Sequence, residues 1–310
     1  MKIISHSADA DGKVSAFLVA KKFNITDMND IIMTDYGKGS DFLNKIQKDE
    51  KVVICDFSFE NGPDDMKKLL EITKDVIWID HHISSIKKYG KFGESIPGLR
   101  VDGTAACMLT YIYFYLSEYQ AADEREEWLK NIDQKKCESL YKFAPLLVRY
   151  VHDNDVWRYE YGEKTEWFKL GLDAESIQYP IDKRWDELFT SKHDIEEVLK
   201  VGQICKKYRD SMGECAVNSG AFEYEIDGKK GLCMNMILGG SPWFGNKVKE
   251  YDFVCSFHYT KDGIWEYSFY SDAEKGANCY KLAQSIDPKG GGHMHAAGCT
   301  TKKFIFDKRK

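Results

Sequence analysis

The chain has 310 residues, of which 43% are hydrophobic and 14% aromatic, and its formal net charge is −6. That length accommodates two domains or one large one, and the apolar content supports packed cores rather than disorder. Mild acidity disfavours a protein that wraps long duplex nucleic acid; small anionic substrates remain open where local cations or bound metals offset the charge.

The only block of like charge is the Lys/Arg-rich last residues. Nine cysteines are spread singly with no Cys-x-x-Cys pair. They read as buried thiols of a reduced, cytoplasmic protein, not as a disulfide framework or a thiolate zinc site. Lys2-Ile3-Ile4 opens directly into a strand pattern, with no secretion leader expected. The longest apolar stretch, 108–116, is interrupted by Thr110 and is too short to span a bilayer.

In chain order, four apolar runs end on motif residues. Ile3-Ile4 leads to His6, Ile31-Ile32-Met33 to Asp35, Val52-Val53-Ile54 to Asp56, and Val76-Ile77-Trp78-Ile79 to Asp80. Amphipathic, helix-length segments at 14–23, 41–47 and 64–72 separate them. Strands alternating with helices predict a parallel sheet. A long apolar helix is expected over 104–119 and charged-faced helices over 121–130 and 194–211, with loops near Gly162 and Tyr179-Pro180. After about 216 the texture changes to short strand-like runs at 222–226, 232–238, 251–259, 264–270 and 299–306, with one helix at 278–286. The expected fold class is α/β. A parallel-sheet N-terminal domain over 1–160 is joined by a helical linker, 161–215, to a smaller α+β C-terminal domain over 216–310.

Five short segments concentrate the chemistry: His6-Ser-Ala-Asp9-Ala-Asp11-Gly12, Cys55-Asp56, Asp80-His81-His82, His152-Asp153-Asn-Asp155 and Gly290-Gly291-Gly292-His293-Met-His295. Six of the eight histidines lie in them. Each has an ordinary structural explanation on its own: Asp9 and Asp11 as a helix N-cap or polar loop, Asp56 as a turn residue, Asp80-His81-His82 as an exposed loop, Asp153 as a helix terminus. Together they form a set of carboxylates and imidazoles without thiolates, which suits Mn²⁺ or Mg²⁺, with Fe²⁺ or Zn²⁺ as alternatives. There are more acids than one ion needs. Two ions about 3.5–4 Å apart, bridged by a carboxylate, would use them and form a clamp for phosphoryl hydrolysis. The three glycines let backbone N–H groups approach an anion, with His293 beside them as a donor.

In this order the motifs resemble the DHH phosphoesterase superfamily with its DHH-associated C-terminal domain, the group of oligoribonuclease-like and RecJ-like phosphodiesterases. The resemblance covers nearly the whole chain. It implies a dimanganese centre, with His6, Asp9 and Asp56 on one ion and Asp11, Asp56, His81 and Asp153 on the other; other divalent ions could substitute. Asp153 is preferred over Asp155 because it lies four residues before Trp157, as in family members. His82 would touch the scissile phosphate, and Asp80 would orient the histidines. Gly291, Gly292, His293 and His295 would bind substrate phosphate. Asp35-Tyr36-Gly37 resembles the Asn/Asp-Tyr-Gly segment of the oligoribonuclease-like branch. One departure is Tyr270, in Ser268-Phe269-Tyr270-Ser271, where family members usually carry an arginine that grips a terminal phosphate or base.

The implied activity is hydrolysis of short oligonucleotides or dinucleotides to mononucleotides. Cyclic dinucleotides and nucleoside bisphosphates are alternative substrates, and a catalytically silent nucleotide sensor is the alternative from another class. A processive exonuclease and a pyrophosphatase fit less well. The implied partners are short nucleic acid or nucleotides and no membrane, with a homodimer left open.

Overall fold

The structure, a computed structural model, describes residues 1–237 and 239–306. The chain divides into two compact units, Met1–Gln203 and Ile204–Lys310. No helix among the described residues is long and apolar enough to cross a membrane.

The first unit is built on β1 (Lys2–His6), β2 (Ile31–Thr34), β3 (Val52–Cys55) and β4 (Val76–Ile79), all parallel, in the order β2-β1-β3-β4. The strands are mostly apolar because both faces are covered. Their alternation sorts side chains to two cores. Ile3, Ile31, Val53, Cys55, Ile77 and Ile79 face one core. Ile4, Ile32, Val52, Ile54, Val76 and Trp78 face the other.

The second of these cores is closed by α2 (Pro63–Ile72), through Met66 and Leu69, and by Tyr89 of α3 (Ile83–Glu94). The first is closed by α1 (Ala10–Phe23), α4 (Ala106–Phe114) and α7 (Leu146–Asp155), with the short α5 (Arg125–Lys130) and α6 (Gln134–Leu140) between them. The helix expected over 41–47 is a single 3₁₀ turn, Asp41–Lys45. Leu43 within the turn and Ile46 just after it are buried in the second core, an i, i+3 spacing that a 3₁₀ turn aligns. The helix expected over 104–119 is α4 followed by a 3₁₀ turn, Leu116–Tyr119.

The segment expected as a linker is largely part of the first unit. Phe168 and Leu172 of α8 (Glu163–Glu175), Trp185 and Leu188 of α9 (Lys183–Thr190), and Ile195 and Val198 of α10 (Lys192–Gly220) all join the α1–α4–α7 core. Burying a side chain of that size stabilises by about 1.5–3 kcal/mol each, so these helices are held as core elements. The boundary between units falls inside α10, at Gln203.

The second unit carries β5 (Phe222–Ile226), β6 (Lys229–Asn235), β7 (Phe253–Tyr259), β8 (Trp265–Tyr270), β9 (Gly291–His293) and β10 (Ala296–Thr301), in the order β5-β6-β7-β8-β10-β9. Only β6 and β7 run parallel. The short α11 (Lys247–Glu250) precedes β7. α12 (Cys279–Ile286), capped by Asn278, contributes Leu282 and Ala283 to the core that also holds Phe253, Phe257 and Phe269. This is the expected α+β texture, with two shifts. The strand expected over 232–238 begins at Lys229, and Leu238 lies outside the described residues, as do the basic residues after 306. The last strand begins at Ala296 because small residues there pair on both sides, with β8 and with β9.

Candidate metal centre

Parallel strands put their carboxyl ends along one edge. The chain crosses from β2, on one side of β1, to β3 on the other, so the order reverses at β1 and opens a crevice beside its end. His6 is the last residue of β1, Asp56 follows β3, and Asp80 follows β4.

Asp9 caps α1, its Oδ1 accepting from the Gly12 amide at 3.0 Å. A Cβ on Gly12 would stand 2.2 Å from the His6 carbonyl oxygen, so only glycine lets α1 start this close to β1. His6 is held from both ring nitrogens: Nδ1 lies 2.9 Å from Asp9 Oδ2 and Nε2 lies 3.0 Å from Asp35 Oδ1. The bond to Asp9 is the main reason the His6 pKa is raised. Burial pushes Asp9 upward, but His6 and the Gly12 amide outweigh it and hold Asp9 below its ordinary value. Asp11 is buried at 1% exposure, and its two oxygens accept from the amides of Ala106 and Cys107 at 2.7 Å each, at the start of α4. A helix N-terminus thus holds an anion in place.

Asp56 is buried and adopts a left-handed backbone at φ 51°, a conformation that non-glycine residues adopt at a cost. Its amide remains bonded to the Ile79 carbonyl at 2.9 Å, so the turn redirects the carboxylate without breaking the sheet edge. Asp80 is fully buried, and its Oδ1 accepts from the His81 amide (2.8 Å), the His82 amide (3.2 Å) and His82 Nδ1 (2.7 Å). The bond to Asp80 raises the His82 pKa, against burial. With Nδ1 so engaged, Nε2 is the ring nitrogen left to His82 for other contacts.

The fourth motif departs from expectation. Asp153 does not join the cluster. Its Oδ1 accepts from the Glu160 amide at 2.8 Å, and its Oδ2 accepts from the buried Thr165 hydroxyl. It ties the turn after α7 to α8. His152 is likewise structural: Nδ1 accepts from the Ala105 amide at 3.1 Å, and burial, followed by Arg158, lowers its pKa to about 4. Asp155 reaches the cluster instead, its Oδ2 3.5 Å from His81 Nε2. In sequence the apolar stripes of α7 do not separate the two: Leu147 and Tyr150 lead to Asp153, Val148 and Val151 lead to Asp155, and all four bury in the same core.

His81 Nε2 sits amid three carboxylates, 3.5 Å from Asp56 Oδ1, 3.5 Å from Asp155 Oδ2 and 3.7 Å from Asp11 Oδ2. Two three-residue donor groups result, His6–Asp9–Asp56 and Asp11–His81–Asp155, each with ligand atoms within 4.8 Å of one another. Asp56, His81 and His82 form a third, overlapping group. Among the described residues no lysine or arginine forms an ion pair with Asp9, Asp11, Asp56 or Asp155. Asp56 Oδ1 and Asp155 Oδ2 are buried with no hydrogen-bond partner. Burial, then repulsion from Asp11 and Asp9, pushes Asp56 well above the carboxylate range and Asp155 up to about 8. Orphaned, mutually repelling carboxylate oxygens facing imidazole nitrogens fit divalent cations. The neighbouring thiols do not compete, since burial holds Cys55 at about 12 and Cys107 well above its ordinary value.

The remaining expected site residues lie in the second unit. Gly291, Gly292 and His293 form the exposed edge strand β9, hairpinned to β10. Gly292 has φ 131°, and a Cβ there would lie 2.6 Å from the Ala296 carbonyl oxygen. His295 Nδ1 is 3.0 Å from Ser271 Oγ, which itself donates to the Ala277 carbonyl at 2.8 Å. Tyr270 ends β8, paired with Val254 and Ala296.

The profile of the DHH family, N-terminal domain, matches residues 1–141. That match spans most of the first unit, including His6, Asp9, Asp11, Asp56 and the Asp80-His81-His82 triplet, and ends before α7. No curated protein matches the sequence. Among solved structures, an uncharacterized protein from Helicobacter pylori G27 is 19% identical, with a TM-score of 0.38, over 98% of this chain and 93% of that one. The pGpG-specific phosphodiesterase PggH of Vibrio cholerae is 11% identical, with a TM-score of 0.48, over 96% and 92%. The DHH domain of a member of a ribosomal-protein family is 14% identical, with a TM-score of 0.46, over 96% and 82%.

Proposed function

We propose that the chain is a metal-dependent phosphodiesterase that holds two divalent cations, manganese in the first place, and hydrolyses short oligonucleotides or dinucleotides to mononucleotides. The observation that carries this reading is the pair of donor groups at the sheet edge, with Asp56 reaching both: Oδ2 lies 3.8 Å from His6 Nδ1, and the buried, unpartnered Oδ1 lies 3.5 Å from His81 Nε2. His6, Asp9 and Asp56 would hold one cation, and Asp11, Asp56, His81 and Asp155 the other. When bound, such a pair supplies hydroxide near neutral pH and neutralises charge on the phosphoryl oxygens.

The chain's own groups do the rest. Asp80 accepts from His82 Nδ1–H, which turns Nε2 toward other partners. The same bond raises the His82 pKa and so favours the doubly protonated ring, whose Nε2–H is the donor available to a phosphoryl oxygen. The amides of α4 hold Asp11 so that one carboxylate cannot swing away. Gly291, Gly292, His293 and His295 are assigned to substrate phosphate in this reading, through exposed backbone N–H groups and imidazole.

The test is one chromatographic assay of metal-stripped protein plus Mn²⁺ on a linear dinucleotide, a short RNA, a short DNA, a cyclic dinucleotide and adenosine 3′,5′-bisphosphate. Manganese-dependent release of mononucleotides from the linear compounds supports the proposal. Turnover confined to the cyclic or bisphosphate compound keeps the chemistry and changes the substrate. Nucleotide bound and left uncut contradicts it.

A further inference from the structure

Tyr36 stands beside the cluster without belonging to the donor set. Its ring stacks on Phe57 (5.6 Å, 27°), lies 5.4 Å from the His6 ring and meets the His82 ring edge-on at 6.4 Å. Yet the residue is 42% exposed. The backbone beneath it is fixed on both sides: the Tyr36 amide donates to Asp35 Oδ1 at 2.8 Å, and the Gly37 amide donates to the Glu60 carboxylate. Asp35 in turn holds His6. A ring at a core edge would ordinarily be covered or free to turn. This one is supported by Phe57 and bordered by the two imidazoles, in a residue that remains partly open to solvent.

We propose that Tyr36 is the stacking platform for a substrate nucleoside, so that the cluster discriminates phosphodiesters that carry a base from those that do not. The inference rests on the phosphodiesterase reading of the same cluster and adds what that reading leaves open, the recognition of the base. A π-face accepts any of the bases, which suits a site that trims short oligonucleotides without reading their sequence. A ring already locked by Phe57 and by its backbone anchors loses little freedom on binding.

The test compares 5′-phosphoadenylyl-adenosine with its counterpart in which both adenines are replaced by hydrogen, using manganese-loaded protein. Wild type is expected to show a KM for the dinucleotide lower by about 5- to 150-fold, the range stacking supplies per base. Tyr36→Leu should raise the dinucleotide KM toward that of the abasic compound while moving kcat little. Tyr36→Phe, which keeps the ring, should restore the discrimination. Calorimetric affinity for adenosine 5′-monophosphate should fall in the Leu variant and not in the Phe variant, with melting temperatures confirming that both fold. Dinucleotide turnover with undiminished discrimination in Tyr36→Leu overturns the platform and leaves the phosphodiesterase reading standing. A wild type that cleaves neither compound overturns both.

Discussion

Asp155→Asn should stabilise the metal-free protein and weaken its hold on divalent cations. The Asp155 carboxyl stands at about 8 instead of its ordinary 3.8, because burial penalises the anion and Asp11 and Asp9 repel it. Between those values the unfolded chain has released the proton and the folded, metal-free chain keeps it. Unfolding therefore releases a proton, and stability falls as pH rises, by up to about 1.4 kcal/mol per pH unit for this group. Asn removes that dependence. At neutral pH the metal-free variant should be more stable than wild type by ~1–3 kcal/mol, a rise in Tm of roughly 2–10 °C for a unit of this size. Manganese should then reverse the order. At a hundred times its Kd a cation stabilises by about 2.7 kcal/mol, and the variant forfeits much of that. Asp153→Ala should behave in the opposite way. It orphans the Glu160 amide and the buried Thr165 hydroxyl, at a cost of ~2–4 kcal/mol, while the manganese-induced shift persists. Thermal melts of the three proteins between about pH 5 and 8, with and without Mn²⁺, decide the matter. A metal-free Asp155→Asn protein that melts below wild type, or an Asp153→Ala protein that no longer responds to manganese, would reverse the roles of the two carboxylates.

Two further outcomes follow from the hydrogen bonds around the cluster. Asp80→Asn removes the main cause of the raised His82 pKa, so the alkaline limb of the pH–rate profile, where His82 loses its proton, should move to lower pH. An unchanged limb would show that the proton is not on His82. Asp35→Ala frees His6 Nε2 and should weaken manganese binding at one of two sites by about 10- to 100-fold. Calorimetry would show this as two unequal affinities, and equal affinities would count against it.

The parallel sheet was legible because its evidence is local. Each strand is a short apolar run, and each ends on an acid or histidine that a packed strand interior would not tolerate. His6, Asp56, His81 and His82 stood out at strand ends, and Asp9 and Asp11 just beyond one; these six side chains lie in overlapping donor groups that could hold a metal ion. The choice between Asp153 and Asp155 was not local. Both follow the same apolar stretch, and Thr165, twelve residues on, decides which carboxylate is consumed structurally. The helices after 161 read as a linker because their faces are charged; their buried residues, Trp185 among them, find partners on α1 that are remote in sequence. The triple glycine read as an anion-binding element and not as a strand; β10 offers Gly291 and Gly292 a small-residue partner, and with His293 they pair into an edge strand.

If two cations share Asp56, anomalous diffraction from crystals grown with Mn²⁺ should show two peaks about 3.5–4 Å apart, one ligated by His6, Asp9 and Asp56 and the other by Asp11, Asp56, His81 and Asp155. A single peak, two peaks without Asp56 between them, or Asp153 in place of Asp155 would contradict this arrangement.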